Sequence, residues 1–190
     1  MTIVFGDTET TGLDPVDGAE ITEIGCIVIK NEDNVFSVDA RKTFHKRFTV
    51  QNMEKANPEA LEVGHYNQAI WDKSSIHPKD GLTEWNDWLK DISPGGKPIM
   101  VAQNAEFDKS FIFAQCDLYH VFPYIHNTWL DLISLWLAYK LKMKLTHLGD
   151  GLGVICDHFK VENVKAHAAL SDSIASAQCF CKLMNMTSFK

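Results

Sequence analysis

Apolar residues form two kinds of run along the chain, and the two kinds follow one another in order. Residues 2–5 (TIVF) are apolar and rich in β-branched side chains, which predicts a buried strand that ends at a polar segment, residues 6–9. Residues 20–29 predict a second strand, and the alternating pattern of residues 42–50 predicts a third. Three consecutive strands with short connections favour an antiparallel meander.

The remainder of the chain has mostly helical spacing. Helices are predicted over residues 58–63, 81–89, 108–118, 128–142 and 168–183. In the helix over 128–142, Leu130, Ile133 and Leu137 form the predicted buried stripe. The compact apolar run 99–102 (IMVA) predicts a fourth, fully buried strand. The order of elements predicts one α/β domain over residues 1–190, in which a mixed β-sheet, an antiparallel meander plus parallel strands, is flanked by helices.

Composition narrows the class of protein. Of 190 residues, 45% are hydrophobic and 23% charged, which is typical of a globular domain and excludes a disordered or collagen-like chain. The net charge is −7 and only two arginines are present, so a protein that binds nucleic acid through a basic stripe is excluded. Lys140, Lys142 and Lys144 are predicted to form a solvated helix end.

The cysteines and the longest apolar runs bear on the compartment. Five cysteines are scattered without a CxxC pair, which favours buried apolar residues in a reducing compartment over disulfides. A zinc module through Cys156 and His158 lacks a second pair of ligands. No run resembles a signal peptide or reaches the roughly 20 residues that a membrane span needs. We therefore expect a soluble, cytoplasmic protein without a membrane partner.

Two acidic residues carry the first indication of chemistry. Asp7 and Glu9 lie two positions apart at the end of the first predicted strand, so both carboxylates point to one face. Neighbouring carboxylates repel each other, and a cation between them relieves the repulsion. Carboxylates are also the ligands that Mg²⁺ and Mn²⁺ prefer. Such a pair is a weak signal by itself, since it also occurs in turns and at solvated strand edges.

Two further segments strengthen the signal. Residues 103–108 (QNAEFD) place the carboxylate of Asp108 just after the fourth predicted strand. His167 and Asp172 are five positions apart, which corresponds to about 140° on one helix. If both residues face one site, His167 lies in the loop before the last helix and Asp172 in the first turns of that helix. A lone histidine in a loop is more often simply exposed.

Together, these segments resemble a known family. Residues 7–13 (DTETTGL), 104–108 (NAEFD) and 167–172 (HAALSD) are similar to the three exonuclease motifs of the DnaQ-like superfamily. That superfamily is the DEDD group of 3′→5′ exonucleases, and the resemblance is to its histidine-containing branch, which has a ribonuclease-H-like fold. The order and separations match over essentially the whole chain. Supporting matches lie at residues 21–25, 58–60 and 145–148.

The resemblance implies a role for each acidic residue. Asp7, Glu9 and Asp172 would hold two divalent ions, Mg²⁺ or Mn²⁺, and Asp108 would complete the site directly or through water. Two such ions activate the attacking water and stabilise the leaving oxygen in an in-line displacement. His167 would contact the substrate and act as the general base that removes the proton of that water.

The resemblance also implies substrate contacts, with some departures. Thr10 would bind the terminal 3′-hydroxyl and Leu13 would pack against the last base. Further contacts would come from Glu59, Asn104 and Phe107. The histidine that usually precedes Asn-Ala is Gln103 here, and the one usually found five residues after the glutamate of Pro-Glu-Ala is replaced by Gly64, with His65 next. These departures concern the choice of substrate more than catalysis.

Three functions remain open at this point. The leading interpretation is a metal-dependent 3′→5′ exonuclease that releases 5′-mononucleotides from single-stranded or frayed DNA, with a DNA polymerase or another replication or repair protein as a partner. The second is an RNA-trimming, oligoribonuclease-like enzyme with the same chemistry. The third is a catalytically silent nucleic-acid-binding module that docks on a polymerase, against which the presence of all five motif residues argues.

Overall fold

The computed structural model describes residues 1–186, so residues 187–190 of the predicted domain lie outside the described part. Six strands form one sheet: β1 Ile3–Thr10, β2 Ile21–Glu32, β3 Val35–Phe48, β4 Ser75–Ile76, β5 Ile99–Ala102 and β6 Leu130–Asp131. Seven α-helices accompany them: α1 Pro58–Val63, α2 Gln68–Ser74, α3 Pro78–Ile92, α4 Ala105–Leu118, α5 Leu132–Met143, α6 Leu152–Phe159 and α7 Ala169–Met184. None of these helices is long and apolar enough to cross a membrane.

The sheet has the mixed topology that the sequence predicts. Its strand order is β4-β3-β2-β1-β5-β6. Strands β1, β2 and β3 form an antiparallel meander, whereas β5 pairs parallel with β1, β6 with β5, and β4 with β3. Because β5 covers only Ile3–Phe5 of β1, the second half of β1 is paired on the β2 side. That half carries the acidic residues.

The first and third strands are longer than their apolar patterns predict. Strand β1 continues through the polar segment to Thr10. Strand β3 begins at Val35, because Asp33 and Asn34 adopt positive φ angles of 53° and 63° and form a two-residue hairpin turn. The first part of β3, residues 35–41, was not predicted because it is mostly exposed and a register shift interrupts its pairing with β2.

Alternation along the strands divides the core into two layers. Ile3, Phe5 and Ile27 point to one face of the sheet and pack with residues of α5, α6 and α7. Val4 and Ile24, one position out of phase, point to the other face and pack with α3 and α4. Asp7 and Glu9 are odd-numbered residues of β1, so the same alternation places them on the α7 face.

Helix α7 lies unusually close to the sheet at one position. A Cβ atom on Gly25 would lie 2.2 Å from the backbone nitrogen of Leu170, which only glycine avoids. The hydroxyl of Ser173 donates a 2.8 Å hydrogen bond to the carbonyl oxygen of Gly25. The first turn of α7 is therefore fixed against β2 beside the acidic end of β1.

The predicted helix over 128–142 needs correction. Helix α5 starts at Leu132, because the preceding residues form β6. Its fully buried residues are Leu132, Trp136, Tyr139 and Lys140. The predicted stripe was wrong, since Leu137 is 47% exposed.

Lys140 also departs from the sequence prediction. It does not belong to a solvated helix end: its Nζ is buried and donates to the carbonyl of Leu148 at 2.9 Å and to Asp150 Oδ1 at 2.6 Å. The short helices α2 and α6 were not predicted.

Candidate active site

Three carboxylates meet where β1 ends and α7 begins. Asp7 and Glu9 come from β1, and Asp172 comes from the first turn of α7, where the contact at Gly25 holds it. Each offers an oxygen, and these oxygens all lie within 4.8 Å of one another. The side chain of Asp172 is fixed by Asn163, whose Nδ2 donates to Oδ1 at 2.6 Å.

Within residues 1–186, no positively charged side chain forms an ion pair with this carboxylate cluster (Asp7, Glu9 and Asp172). Burial, reinforced by repulsion from Asp172, Glu23 and Asp108, raises the pKa of Glu9 to about 8. Burial and the neighbouring carboxylates also raise the pKa of Asp7 well above its usual value. A divalent cation would reverse these effects, and oxygen donors at this spacing suit Mg²⁺ or Mn²⁺. The residues therefore fit the metal that the sequence predicts.

Asp108 approaches the cluster from another direction. It lies on α4, and its Oδ1 accepts hydrogen bonds from the backbone N–H and the hydroxyl of Thr8, each at 2.8 Å. Thr8 lies beyond the part of β1 that pairs with β5, so Asp108 provides an acceptor for its N–H. Burial raises the pKa of Asp108 to about 7, and the bonds from Thr8 oppose that increase. Asp108 adjoins Asp7 but is not one of the three carboxylates within 4.8 Å.

His167 lies in the loop directly before α7, as its spacing from Asp172 predicts. Its φ angle is 59°, and its backbone N–H donates to Asp172 Oδ2 at 3.0 Å. This bond ties the loop to the carboxylate cluster through the backbone of His167, and the residue itself is exposed. The ring of His65 lies edge-on to the ring of His167, with centroids 6.3 Å apart.

A cavity of about 320 Å³ opens beside Glu9. Its lining includes four of the predicted substrate-binding residues, namely Thr10, Leu13, Glu59 and Phe107. Asn104 lies outside this lining, in a separate depression between α4 and α5. Leu13 is 81% exposed, so its apolar side chain is available to contact a bound ligand. The Thr10 hydroxyl is hydrogen-bonded to the carbonyl of Gly12.

The chain is similar to known nucleases, in agreement with the carboxylate cluster described above. A family model described as exonuclease matches residues 4–180. The chain belongs to the exonuclease family. It is 31% identical over 185 residues to DNA polymerase III subunit epsilon of Rickettsia typhi, covering 93% of this chain and 71% of the relative. It is 27% identical over 192 residues to ribonuclease T of Shewanella oneidensis, covering 94% and 80%.

Solved structures confirm the ribonuclease-H-like fold of this exonuclease. The nuclease domain of 3′hExo, a DEDDh family member bound to rAMP, superposes with a TM-score of 0.74 at 17% identity, covering 95% of this chain and 90% of that one. Exonuclease I superposes with a TM-score of 0.82 at 16% identity, covering 99% and 42%. The predicted membership in the DnaQ-like 3′→5′ exonucleases, a divalent-metal-dependent family, is confirmed.

Two residues at the site of the exonuclease were not singled out from the sequence. Asn163 holds Asp172, and Ser171 Oγ donates in turn to Asn163 Oδ1 at 3.0 Å. Glu23 lies opposite Glu9 in the β1–β2 ladder. Asn163 lies outside the matched motifs, whereas Glu23 lies within the supporting match at residues 21–25 and was given no role there. Glu23 could have been found from the pleat, because the meander predicts that an acidic residue of β2 faces the same side as Glu9.

The structure also locates the departures from the family pattern. Gly64 abuts the cluster, since a Cβ there would lie 3.1 Å from Glu9 Oε2. His65 follows with a φ of 51°, and its Nε2 lies 3.2 Å from the carbonyl oxygen of Ala166, next to His167. Gln103 Nε2 donates to the backbone carbonyl of Asp150 at 3.2 Å. A histidine is thus present near the site, although it is shifted by one position in the sequence.

Proposed function

We propose that this exonuclease is a metal-dependent enzyme that removes 5′-mononucleotides from the 3′ end of single-stranded or frayed DNA. The observation that carries the proposal is the convergence of three carboxylates within 4.8 Å, one of which accepts a hydrogen bond from the backbone N–H of His167. A net charge of −7 would otherwise disfavour a phosphodiester, and bound cations invert the local field.

Asp7, Glu9 and Asp172 would hold two Mg²⁺ or Mn²⁺ ions, and Asp108 would take part directly or through water. Bound there, the metal supplies Lewis-acid activation of water and stabilisation of the leaving oxygen. Asn163 and the backbone N–H of His167 both donate to Asp172, which orients this ligand before any ion binds.

His167 would remove the proton from the attacking water at a ring nitrogen. Its position supports this role, because the loop that carries it is tied to Asp172 by the backbone and His167 is exposed. Neutral imidazole is the form that accepts a proton, so the proposed base acts as the uncharged ring.

The cavity beside Glu9 would receive the terminal nucleotide. Leu13 and Phe107 offer apolar surface for a base, and Thr10 and Glu59 offer polar groups for the sugar end. Asn104 lies outside the cavity and would contact the part of the DNA strand that leads away from it. A substrate without a free 3′-hydroxyl should be resistant, because this pocket accepts a chain end.

DNA is the favoured substrate because the relative with the highest identity cited above is a subunit named for DNA polymerase III. That relative also supports a polymerase as a partner. The second candidate is RNA, which the likeness to a protein named ribonuclease T favours. The five cysteines are free and buried, which supports the cytoplasm as the compartment.

A single set of digestions tests the proposal. Single-stranded DNA, duplex DNA, RNA and circular single-stranded DNA are incubated with Mg²⁺, Mn²⁺ or EDTA, and the products are separated by length. We expect stepwise shortening of linear single-stranded DNA from the 3′ end and reversible loss of activity with EDTA. Faster digestion of RNA would transfer the assignment to the second candidate, and cleavage of circular DNA would contradict an exonuclease.

A further inference from the structure

We propose that Asp131 is a positioning residue that fixes the first turn of α4, and with it Phe107 and Asp108, relative to the carboxylate cluster. The inference rests on the proposed function for its consequence in catalysis. Its structural part, the connection between Asp131 and α4, stands on contacts that can be tested without any substrate.

One carboxylate serves the start of two helices. Asp131 Oδ1 accepts the backbone N–H groups of Asn104 at 3.0 Å and Ala105 at 3.2 Å, which begin α4, and that of Ile133 at 3.3 Å in α5. Its Oδ2 accepts the backbone N–H of Ser134 at 2.9 Å and the Ser134 hydroxyl at 2.6 Å. The first turns of α4 and α5 are therefore tied to the same side chain.

Helix α4 depends on this external acceptor. The residue in its N-cap position is Asn104, whose side chain makes no capping hydrogen bond and whose φ and ψ are 65° and 54°. The first N–H groups of a helix lack partners within the helix, and an anion next to them is favourable. Asp131, 27 residues away in the sequence, supplies the acceptor that Asn104 does not.

The tied turn carries the residues that face the site. The N–H of Phe107 donates to the carbonyl of Asn104 at 2.9 Å, so Phe107 follows the position of the cap. Asp108 is next and accepts two hydrogen bonds from Thr8 of β1. The turn is thus held at both ends, by Asp131 at its start and by Thr8 at Asp108.

The position of Asp131 makes it a rigid support. It is the last residue of β6 and pairs in register with Ala102, the last residue of β5. Because β5 pairs parallel with β1, Asp131 is connected through two strands to the strand that holds Asp7 and Glu9. A change at Asp131 should therefore move α4 relative to the cluster and leave the cluster itself in place.

The test compares Asp131→Ser with Ser134→Ala. Serine is a good N-cap residue and can still cap its own helix, α5, but it has one oxygen on a shorter side chain, which leaves the amides of Asn104 and Ala105 without their acceptor. Ser134→Ala removes a donor to Oδ2 and leaves the α4 side intact. Hydrogen exchange of residues 103–108 is measured first, followed by kcat, KM and Mn²⁺ affinity on linear DNA.

We expect faster exchange in residues 103–108 of Asp131→Ser and a kcat lower by about 10- to 100-fold with a smaller change in KM, the usual effect of losing a residue that orients a ligand. Ser134→Ala should resemble the wild type in both measurements. Asp131→Asn, which keeps the size and one acceptor oxygen, should recover part of the rate, and it replaces Asp131→Ser if the latter does not fold.

A folded Asp131→Ser with wild-type kcat would overturn the proposal, as would an Asp131→Asn that loses rate while residues 103–108 exchange as in the wild type. An equal loss in Ser134→Ala would also overturn it, since the role would then belong to α5 alone. An inactive wild type would instead contradict the proposed function. In that case the exchange data would still decide whether Asp131 holds α4.

Discussion

Two glutamates face each other across the β1–β2 ladder and have opposite electrostatic surroundings. Glu9 and Glu23 are register partners. The pKa of Glu9 is raised to about 8, first by burial and then by neighbouring carboxylates. Burial acts in the same direction on Glu23, yet its pKa is lowered, because a hydrogen bond from His45 at 2.8 Å and the charge of Arg47 at 3.5 Å outweigh it.

The difference in surroundings indicates a structural role for Glu23 and a metal-binding role for Glu9. The counter-charges of Glu23 are supplied by the chain, and Arg47 is itself held by Ser74 and by the ring of Trp71, 4.8 Å away. Within residues 1–186, no ion pair includes Glu9. A charge that the fold leaves uncompensated beside a compensated one is suited to a cation from solution. The five predictions that follow test this contrast.

The largest effect is expected for Glu9→Gln. The substitution removes a proposed metal ligand and preserves shape, so exonuclease activity should fall below detection while the protein still folds. The metal-free protein should be at least as stable as the wild type, because repulsion within the cluster is relieved. Digestion assays and urea denaturation without metal measure the two effects. Cooperative unfolding that is lost in Glu9→Gln would indicate a structural site instead.

His167→Ala should lower the rate by roughly 10²–10⁴-fold, the usual range for removal of a general base. Mn²⁺ affinity should be nearly unchanged, because the proposed ligands are carboxylate oxygens. Single-turnover rates and Mn²⁺ titrations of the wild type and the variant measure the two effects. A variant that keeps its rate and loses Mn²⁺ would make His167 a ligand.

The stability of the metal-free enzyme should depend on pH in the direction set by the raised pKa values of Glu9, Asp7 and Asp108. A carboxyl whose pKa is raised on folding stabilises the folded state below its unfolded value, and that contribution is lost as pH rises through the folded value of about 8. We therefore expect the Tm without metal to decrease between about pH 5 and 9, and Mg²⁺ or Mn²⁺ to raise it most at the alkaline end. Glu9→Gln is the control and should make the profile less steep, and the remaining slope is due to Asp7 and Asp108, whose pKa values are also raised. A Tm that rises over this range would contradict the assignment.

Glu23→Gln is the matched change on the compensated side of the comparison. Its side chain is 5% exposed, and its loss leaves Arg47 without its carboxylate, so the free energy of unfolding should fall by about 1.5–3 kcal/mol. Activity and Mn²⁺ affinity should be retained, the reverse of the pattern for Glu9→Gln. Urea denaturation and the digestion assay check both. Loss of metal binding in this variant would remove the distinction between the two glutamates.

The smallest effect is expected for Gly64→Ala. The added methyl group would lie 3.1 Å from Glu9 Oε2, so the carboxylate must move by a few tenths of an ångström. Mn²⁺ affinity should fall by less than about tenfold, because the ligand is displaced and not removed. Gly95→Ala is the control, since nothing lies within 4 Å of its Cβ position. Equal affinities in the two variants would show that Gly64 does not restrict Glu9.

The sequence predicted the central strands and several helices of this fold, but not the short or exposed strands at the edges of the sheet. The meander, the strand over 99–102 and the helices that start at Pro58 and near Ala169 follow from local apolar periodicity, which the backbone geometry imposes. The start of β3 and the two-residue strands β4 and β6 could not be predicted. They are short or exposed, so their pairing depends on partners far away in the chain and not on a local pattern.

Sequence alone placed Asp7 and Glu9 on one face through the pleat and identified the family from three ordered motifs. On the condition that both residues face one site, it also put His167 in a loop and Asp172 in the first turns of a helix. The tertiary structure decided which charges are compensated. Glu9 and Glu23 are both glutamates in strands, and only the folding of β3 against β2 brings His45 and Arg47 to one of them. The same holds for Asp131, which reaches Asn104 because two short parallel strands end side by side. Local secondary structure depends on residues that are adjacent in the sequence. The pKa of a carboxyl and the cap of a helix depend also on atoms that folding brings from distant parts of the chain.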